Sequence, residues 1–154
     1  MCQDLMVPAK NAVALLEYID KNFPFYPTGF CLMKPEPRSD LQCNGIEADL
    51  LVNIGVYGKR ITPHAAFVQA NRYIESTLKK LGGKKWFYAH SYYTSDEFWR
   101  IYDKKRYEKI RKIYHATYLP SINKKVVVPD KFVNFTQKNA LRILILNKQP
   151  RIIS

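Results

Sequence analysis

Ala12, Leu15, Leu16, Ile19 and Phe23 recur at three- and four-residue spacing. They therefore line one side of a helix that Pro8 opens and that Pro24 and Pro27 end, because proline cannot continue a helix. Gly29–Met33 is a short apolar run and predicts a strand. Residues 35–45, with Pro35, Pro37, Ser39 and Asp40, read as a loop by composition. The clearest alternation follows. Ile46, Ala48, Leu50, Val52, Ile54 and Val56 interleave with Glu47, Asp49, Leu51, Asn53, Gly55 and Tyr57. This period of two predicts a strand over 46–57 with one buried face and one partly polar face. Gly55 and Gly58 at its end predict a bend or a close backbone approach.

Thr62-Pro63 reads as the N-cap and first position of a second helix, with Phe67, Ala70, Ile74, Leu78 and Leu81 as its apolar stripe. Gly82-Gly83 supplies its stop. Lys85–Tyr93 is rich in aromatic residues and predicts a strand. Thr94 with Glu97 three residues later is a capping-box pattern and starts a third helix carrying Phe98, Trp99 and Tyr102. A further helical stretch places Tyr107, Ile110 and Tyr114 on one side and Lys or Arg on the others. The predicted order is helix, strand, strand, helix, strand, helices. It builds an α+β fold with helices packed on one face of a small, mainly antiparallel sheet. Val126–Val128 and Leu141–Leu146 are apolar but belong to no amphipathic plan, so the chain divides into 1–125 and a divergent tail, 126–154.

The chain has 154 residues, ample for one domain with its own core. Its apolar runs fall short of the ~20 residues a membrane span needs. Met1-Cys2-Gln3-Asp4 has no basic, apolar leader and reads as lacking a secretory signal. The three cysteines have no CxxC or metal-ligand spacing, which suits a reducing compartment.

Charge changes the picture more. The net charge is +12, and it is uneven: residues 1–58 hold 4 basic and 7 acidic side chains, and the remainder 21 and 6. A basic half suits a polyanion, whether nucleic acid, an anionic membrane face or an acidic protein, although a solvated lysine-rich face is the plainer explanation. No zinc finger, RNP-type strand or KH-type GxxG loop supports a nucleic-acid partner, and none is expected. The six glycines form neither GxGxxG nor GxxxxGK[ST], so no dinucleotide or triphosphate loop is recognisable. His64, His90 and His115 are far apart, and no metal site is expected. Asn134-Phe135-Thr136 matches a glycosylation sequon, which means little without a secretory signal.

Aromatic density is the anomaly. Seven of the fourteen residues from Trp86 to Trp99 are aromatic, where the 14% average predicts two. On a strand, Trp86, Tyr88, His90 and Tyr92 would share one face. That face would set hydroxyls and an imidazole over a flat apolar surface, which suits a large, mostly apolar ligand with a few polar fixing points. The plainer alternative is an aromatic core whose tyrosine hydroxyls reach water.

Several segments also resemble a known family. These are Gln3-Asp4-Leu5-Met6-Val7-Pro8, Glu47-Ala48-Asp49-Leu50 running into Asn53-Ile54-Gly55-Val56-Tyr57-Gly58, and then Tyr88-Ala89, Glu97-Phe98-Trp99, Tyr102-Asp103, Tyr107 and Arg111-Lys112. In order and spacing they resemble the delta(24)-sterol reductase family, the diminuto/Dwarf/seladin group, over roughly Cys2 to Lys125. The resemblance implies kinship with long flavoproteins of the vanillyl-alcohol-oxidase type, which have a membrane anchor and an FAD-binding domain first and sit in the endoplasmic reticulum membrane. Such enzymes reduce a sterol side-chain double bond with hydride from NADPH by way of FAD. This chain would correspond to the C-terminal third, including much of the substrate (cap) domain. The flavin-binding domain would lie upstream of Met1, so catalysis by this chain alone is not expected.

On that reading Tyr88 and His90 are the candidate acid or orienting groups, with Tyr92, Asn53, Tyr57 and Trp86 on the substrate side. The cofactor would be FAD, with NADPH as reductant, and the partner a sterol. A sheet face built to cover a flavin domain would be exposed in the isolated chain and would favour self-association. Two other readings stay open: a non-catalytic sterol- or protein-binding module, and a basic nucleic-acid binder.

Overall fold

A computed structural model describes residues 1–35, 46–59, 61 and 63–128. The chain opens with a strand, β1 (Cys2–Pro8), followed by a 3-10 turn (Ala9–Asn11) and α1 (Ala12–Asn22). Then come β2 (Gly29–Met33), β3 (Leu51–Tyr57), α2 (His64–Lys80), β4 (Lys84–Lys85), α3 (Ser95–Ile101), α4 (Lys104–Ile113) and α5 (Ile122–Val126). The strands form one antiparallel sheet in the order β2-β3-β1-β4. The fold is α+β, as the sequence predicts.

One face of the sheet takes the helices. Leu5 and Val7 of β1 and Val52, Ile54 and Val56 of β3 pack against Leu15 and Ile19 of α1 and Ala70, Ile74 and Leu78 of α2. These residues are buried, and each large one contributes about 1.5–3 kcal/mol of transfer free energy. α2 ends where its sequence says it should. Gly82 stands at φ 68°, and the amides of Gly82 and Gly83 close back on the carbonyls of Lys79 and Leu78. Thr94 caps α3 through a complete capping box with Glu97.

Four expectations need correcting. β1 was not foreseen: six of its seven positions are buried, so no alternation marks it, and Pro8 ends a strand instead of opening a helix. The strand predicted over 46–57 is regular only from Leu51, where pairing with β1 begins. The N-cap of α2 is Pro63, and Thr62 lies outside the described residues. Most consequentially, Lys85–Tyr93 is not a strand. Only Lys84 and Lys85 pair with β1, and the chain turns over 87–89. Trp86, Tyr88, His90 and Tyr92 therefore do not share a strand face.

A third cluster, Tyr93, Phe98 and Tyr102, gathers Phe87, Trp99, Val126 and Val127, and Val127 bridges to Ser91. The rest of the expected tail, 129–154, lies outside the described residues, as does most of the loop over 35–45.

Candidate functional site

The sheet face opposite α1 and α2 holds the chemistry. Antiparallel register sets Asp4 opposite Gly55 and Met6 opposite Asn53, so Asp4, Asn53, Gly55 and Tyr57 share this face. Asp4 is 2% exposed. Its Oδ1 accepts from Asn53 Nδ2 at 2.8 Å, and its two oxygens accept from the Tyr57 hydroxyl at 3.0 and 2.9 Å. Tyr57 reaches this far because its ring lies back across Gly55: a Cβ at Gly55 would stand 2.6–2.9 Å from three atoms of that ring. The close approach predicted at Gly55 is thus that of a side chain.

The turn after β4 adds two aromatic residues. Trp86 packs with Met6, Leu51 and Ile46 and stacks on Tyr88, with ring centroids 6.4 Å apart and 25° between planes. The Tyr88 hydroxyl interacts with Asp4 and Tyr57 while most of its ring is exposed. Both tyrosines titrate above the ordinary range. Tyr57 does so chiefly because its hydroxyl donates to Asp4, and Tyr88 chiefly through desolvation, then Asp4. Both hydroxyls thus stay protonated at neutral pH as hydrogen-bond donors. Asn53 Oδ1 and Trp86 Nε1 are buried with no hydrogen-bond partner among the described residues.

The structure brings together four of the six residues singled out from sequence: Asn53, Tyr57, Trp86 and Tyr88. His90 and Tyr92 lie elsewhere. The His90 ring is exposed, and its carbonyl accepts from Lys85 Nζ at 2.7 Å and Gln3 Nε2 at 3.2 Å. Tyr92 is buried edge-on against Phe67, its hydroxyl pushed up to about 12 by burial. The centre of the cluster, Asp4, was missed. The available signal was an acidic residue beside an apolar run, which carries weight only once that run is known to be a central strand.

A buried ion pair fixes the turn that carries Trp86 and Tyr88. Lys85 Nζ donates to Glu75 Oε1 at 2.8 Å, and the same oxygen accepts from the Tyr92 amide at 2.7 Å. Arg72 extends the network, with NH1 3.7 Å from Glu75 and its fork on both oxygens of Glu97 at 2.8 and 2.9 Å.

A separate groove of about 550 Å³ lies between α1 and β2, on the helix side of the sheet, lined by Leu16, Ile19, Phe23, Phe25 and Phe30. Among the described residues no acidic, cysteine or histidine cluster could hold a metal ion, and no helix is long and apolar enough to cross a membrane.

Against known proteins, 111 residues of this chain, 71% of it, are 31% identical to the Delta(24)-sterol reductase of Rattus norvegicus. The human enzyme of the same name is 29% identical over 110 residues. This chain is a relative of the Delta(24)-sterol reductases. It spans 22% of the length of the rat reductase and 21% of the human one. No family model matches, and no solved structure matches. The kinship agrees with the resemblance carried by the Asp4, Asn53–Gly58 and Glu97–Trp99 segments.

Proposed function

We propose that this chain is the substrate-side part of a sterol-reductase-like oxidoreductase, and that the Asp4 face is where it meets a sterol. The observation that carries this reading is the convergence of Asp4, Asn53, Tyr57 and Tyr88 from three separate segments, two of them strands, within a chain related to Delta(24)-sterol reductases. Tyr88 is the most exposed member, its ring stacked beside that of Trp86 and its hydroxyl reaching Asp4. Reducing a carbon–carbon double bond adds a hydride to one carbon and a proton to the other. Tyr88 is the group of this chain suited to deliver that proton, with Asp4 and Tyr57 orienting its hydroxyl.

FAD and NADPH enter as part of the same proposal, FAD as the group that supplies hydride. The Asp4 face does not fit the dinucleotide portion of FAD. Its central group is a carboxylate, which repels a diphosphate, and no basic side chain is among the residues of the cluster. FAD would need to be held by residues other than these.

A second reading, a sterol-binding module without turnover, is favoured by the groove between α1 and β2, whose volume and apolar lining suit a ligand of sterol size. One experiment separates the two. The purified chain is titrated with a sterol carrying a side-chain double bond, followed by tryptophan fluorescence, and products are then sought after adding FAD and NADPH. Binding that weakens in Tyr88→Phe but not in Phe23→Ala supports the first reading, with or without product. Binding that weakens in Phe23→Ala, without product, supports the second. Absence of binding overturns both.

A further inference from the structure

Helix α4 is anchored on one side only. Tyr107 packs against Trp99 with ring centroids 5.4 Å apart and 38° between planes, and the Ile122 amide donates to its hydroxyl at 2.8 Å. The other side carries exposed Lys105, Lys109 and Lys112, whose spacing of four and three residues puts three ammonium groups in one stripe. Among the described residues no carboxylate pairs with any of them.

The helix ends in a Schellman turn. His115 adopts φ 51°, its amide donates to the Lys112 carbonyl, and the Ala116 amide donates to that of Arg111. Arg111 then holds the following loop from within. Its guanidinium donates to the carbonyls of Ala116 and Thr117 at 3.1–3.3 Å, and to that of Leu119. With its backbone tied down in this way, the loop directs its side chains outward. Tyr114 is 76% exposed, Tyr118 82% and Leu119 49%, next to Ile113 at 59%. A row of lysines thus runs into a braced apolar and aromatic tip.

We propose that this stripe and tip form a docking surface for an anionic lipid bilayer. The lysines complement the negative charge of the headgroups. Tyrosine suits the boundary between headgroups and acyl chains, and Leu119 and Ile113 gain by leaving water for it. Two features favour a bilayer over nucleic acid. The tip includes aliphatic side chains that bases and phosphates do not reward, and Arg111, the cation best shaped for phosphate, is engaged by Glu108 and by loop carbonyls. The surface neither depends on the sterol reading nor involves the Asp4 face.

Co-sedimentation with phosphatidylcholine vesicles, with and without phosphatidylserine, tests the proposal. The chain is expected to sediment only with the phosphatidylserine vesicles. The triple variant K105S/K109S/K112S should bind on the order of 100-fold more weakly, at about fivefold per lysine. Y118S/L119S should bind roughly tenfold more weakly. All five side chains are exposed, so unchanged circular dichroism is expected for both variants. Failure to sediment, or binding equal to wild type in either variant, overturns the proposal. So does tighter binding to a single-stranded oligonucleotide than to vesicles, lost in the same lysine variant, which would assign the stripe to nucleic acid.

Discussion

The Tyr57 hydroxyl donates to the Asp4 carboxylate across 53 positions of sequence, and it can do so because Gly55 leaves room for the ring between them. This pairing secures a nearly buried carboxylate at the centre of a sheet, where an unpaired charge would be costly. Tyr57→Phe removes a charge-assisted hydrogen bond and should cost about 1–3 kcal/mol in chemical denaturation. Gly55→Ala should displace the ring and reproduce most of that loss while leaving the hydroxyl in the sequence. A Gly55→Ala protein as stable as wild type would show that the ring contact is dispensable.

Lys85 and Glu75 are both almost wholly buried, with Nζ 2.8 Å from Oε1. Burial lowers the lysine's pKa and Glu75 opposes that shift, so the pair stands or falls together. Lys85→Met leaves the Glu75 carboxylate buried with the Tyr92 amide and, as its nearest cation, only the more distant Arg72, and should cost about 3–5 kcal/mol. The double variant Lys85→Met/Glu75→Leu should recover a large part of it. Equal loss in single and double variants, measured by urea unfolding, would mean that the pair holds the 86–92 turn by geometry more than by charge.

Arg72 lowers the Glu97 carboxyl from 4.5 to about 2 by hydrogen bonding, against a smaller desolvation effect in the other direction. A carboxyl with a depressed folded pKa stabilises above its unfolded pKa and loses that contribution as pH falls through the folded value. Stability should therefore decline between pH 4.5 and pH 2. The Glu97 side chain is 35% exposed, so after solvent screening the effect should be about 1–2 kcal/mol. Arg72→Met should flatten this part of the stability–pH curve. An unchanged slope would place the acid sensitivity in other carboxylates.

The sheet face opposite the helices is polar at Asp4, Asn53 and Tyr57, and Trp86 covers its apolar part, so it is not the exposed apolar face expected from sequence. On this sheet an exposed apolar surface lies at the β2 edge instead. Phe30 and Leu32 pair across from Ile54 and Val52 on the helix side, yet are 58% and 70% exposed. An edge strand with exposed apolar side chains favours pairing between copies. Leu32→Lys should lower the apparent mass in light scattering at high concentration. A wild-type chain that is monomeric at every concentration would remove this expectation.

Much of the local structure was legible in the sequence. The α1 and α2 stripes, the Gly82 stop and the Thr94–Glu97 box each depend on residues a few positions apart, and propensity acts over that range. The 85–93 stretch was misread because a run of aromatic residues satisfies strand propensity equally well when it turns. The Lys85–Glu75 pair, the Tyr92 amide and the third aromatic cluster determine which it does, and those partners lie on other elements.

By itself the sequence determined the α+β class, the helix faces and their stops, and the kinship carried by its motifs. Only the tertiary structure decided that residues 2–8 form a central strand, that Asp4 is the centre of the cluster, and that His90 and Tyr92 stand apart from it. The physical reason is register. Which side chains share a sheet face depends on how β1 and β3 align across some fifty residues of intervening chain, and no local pattern encodes that alignment.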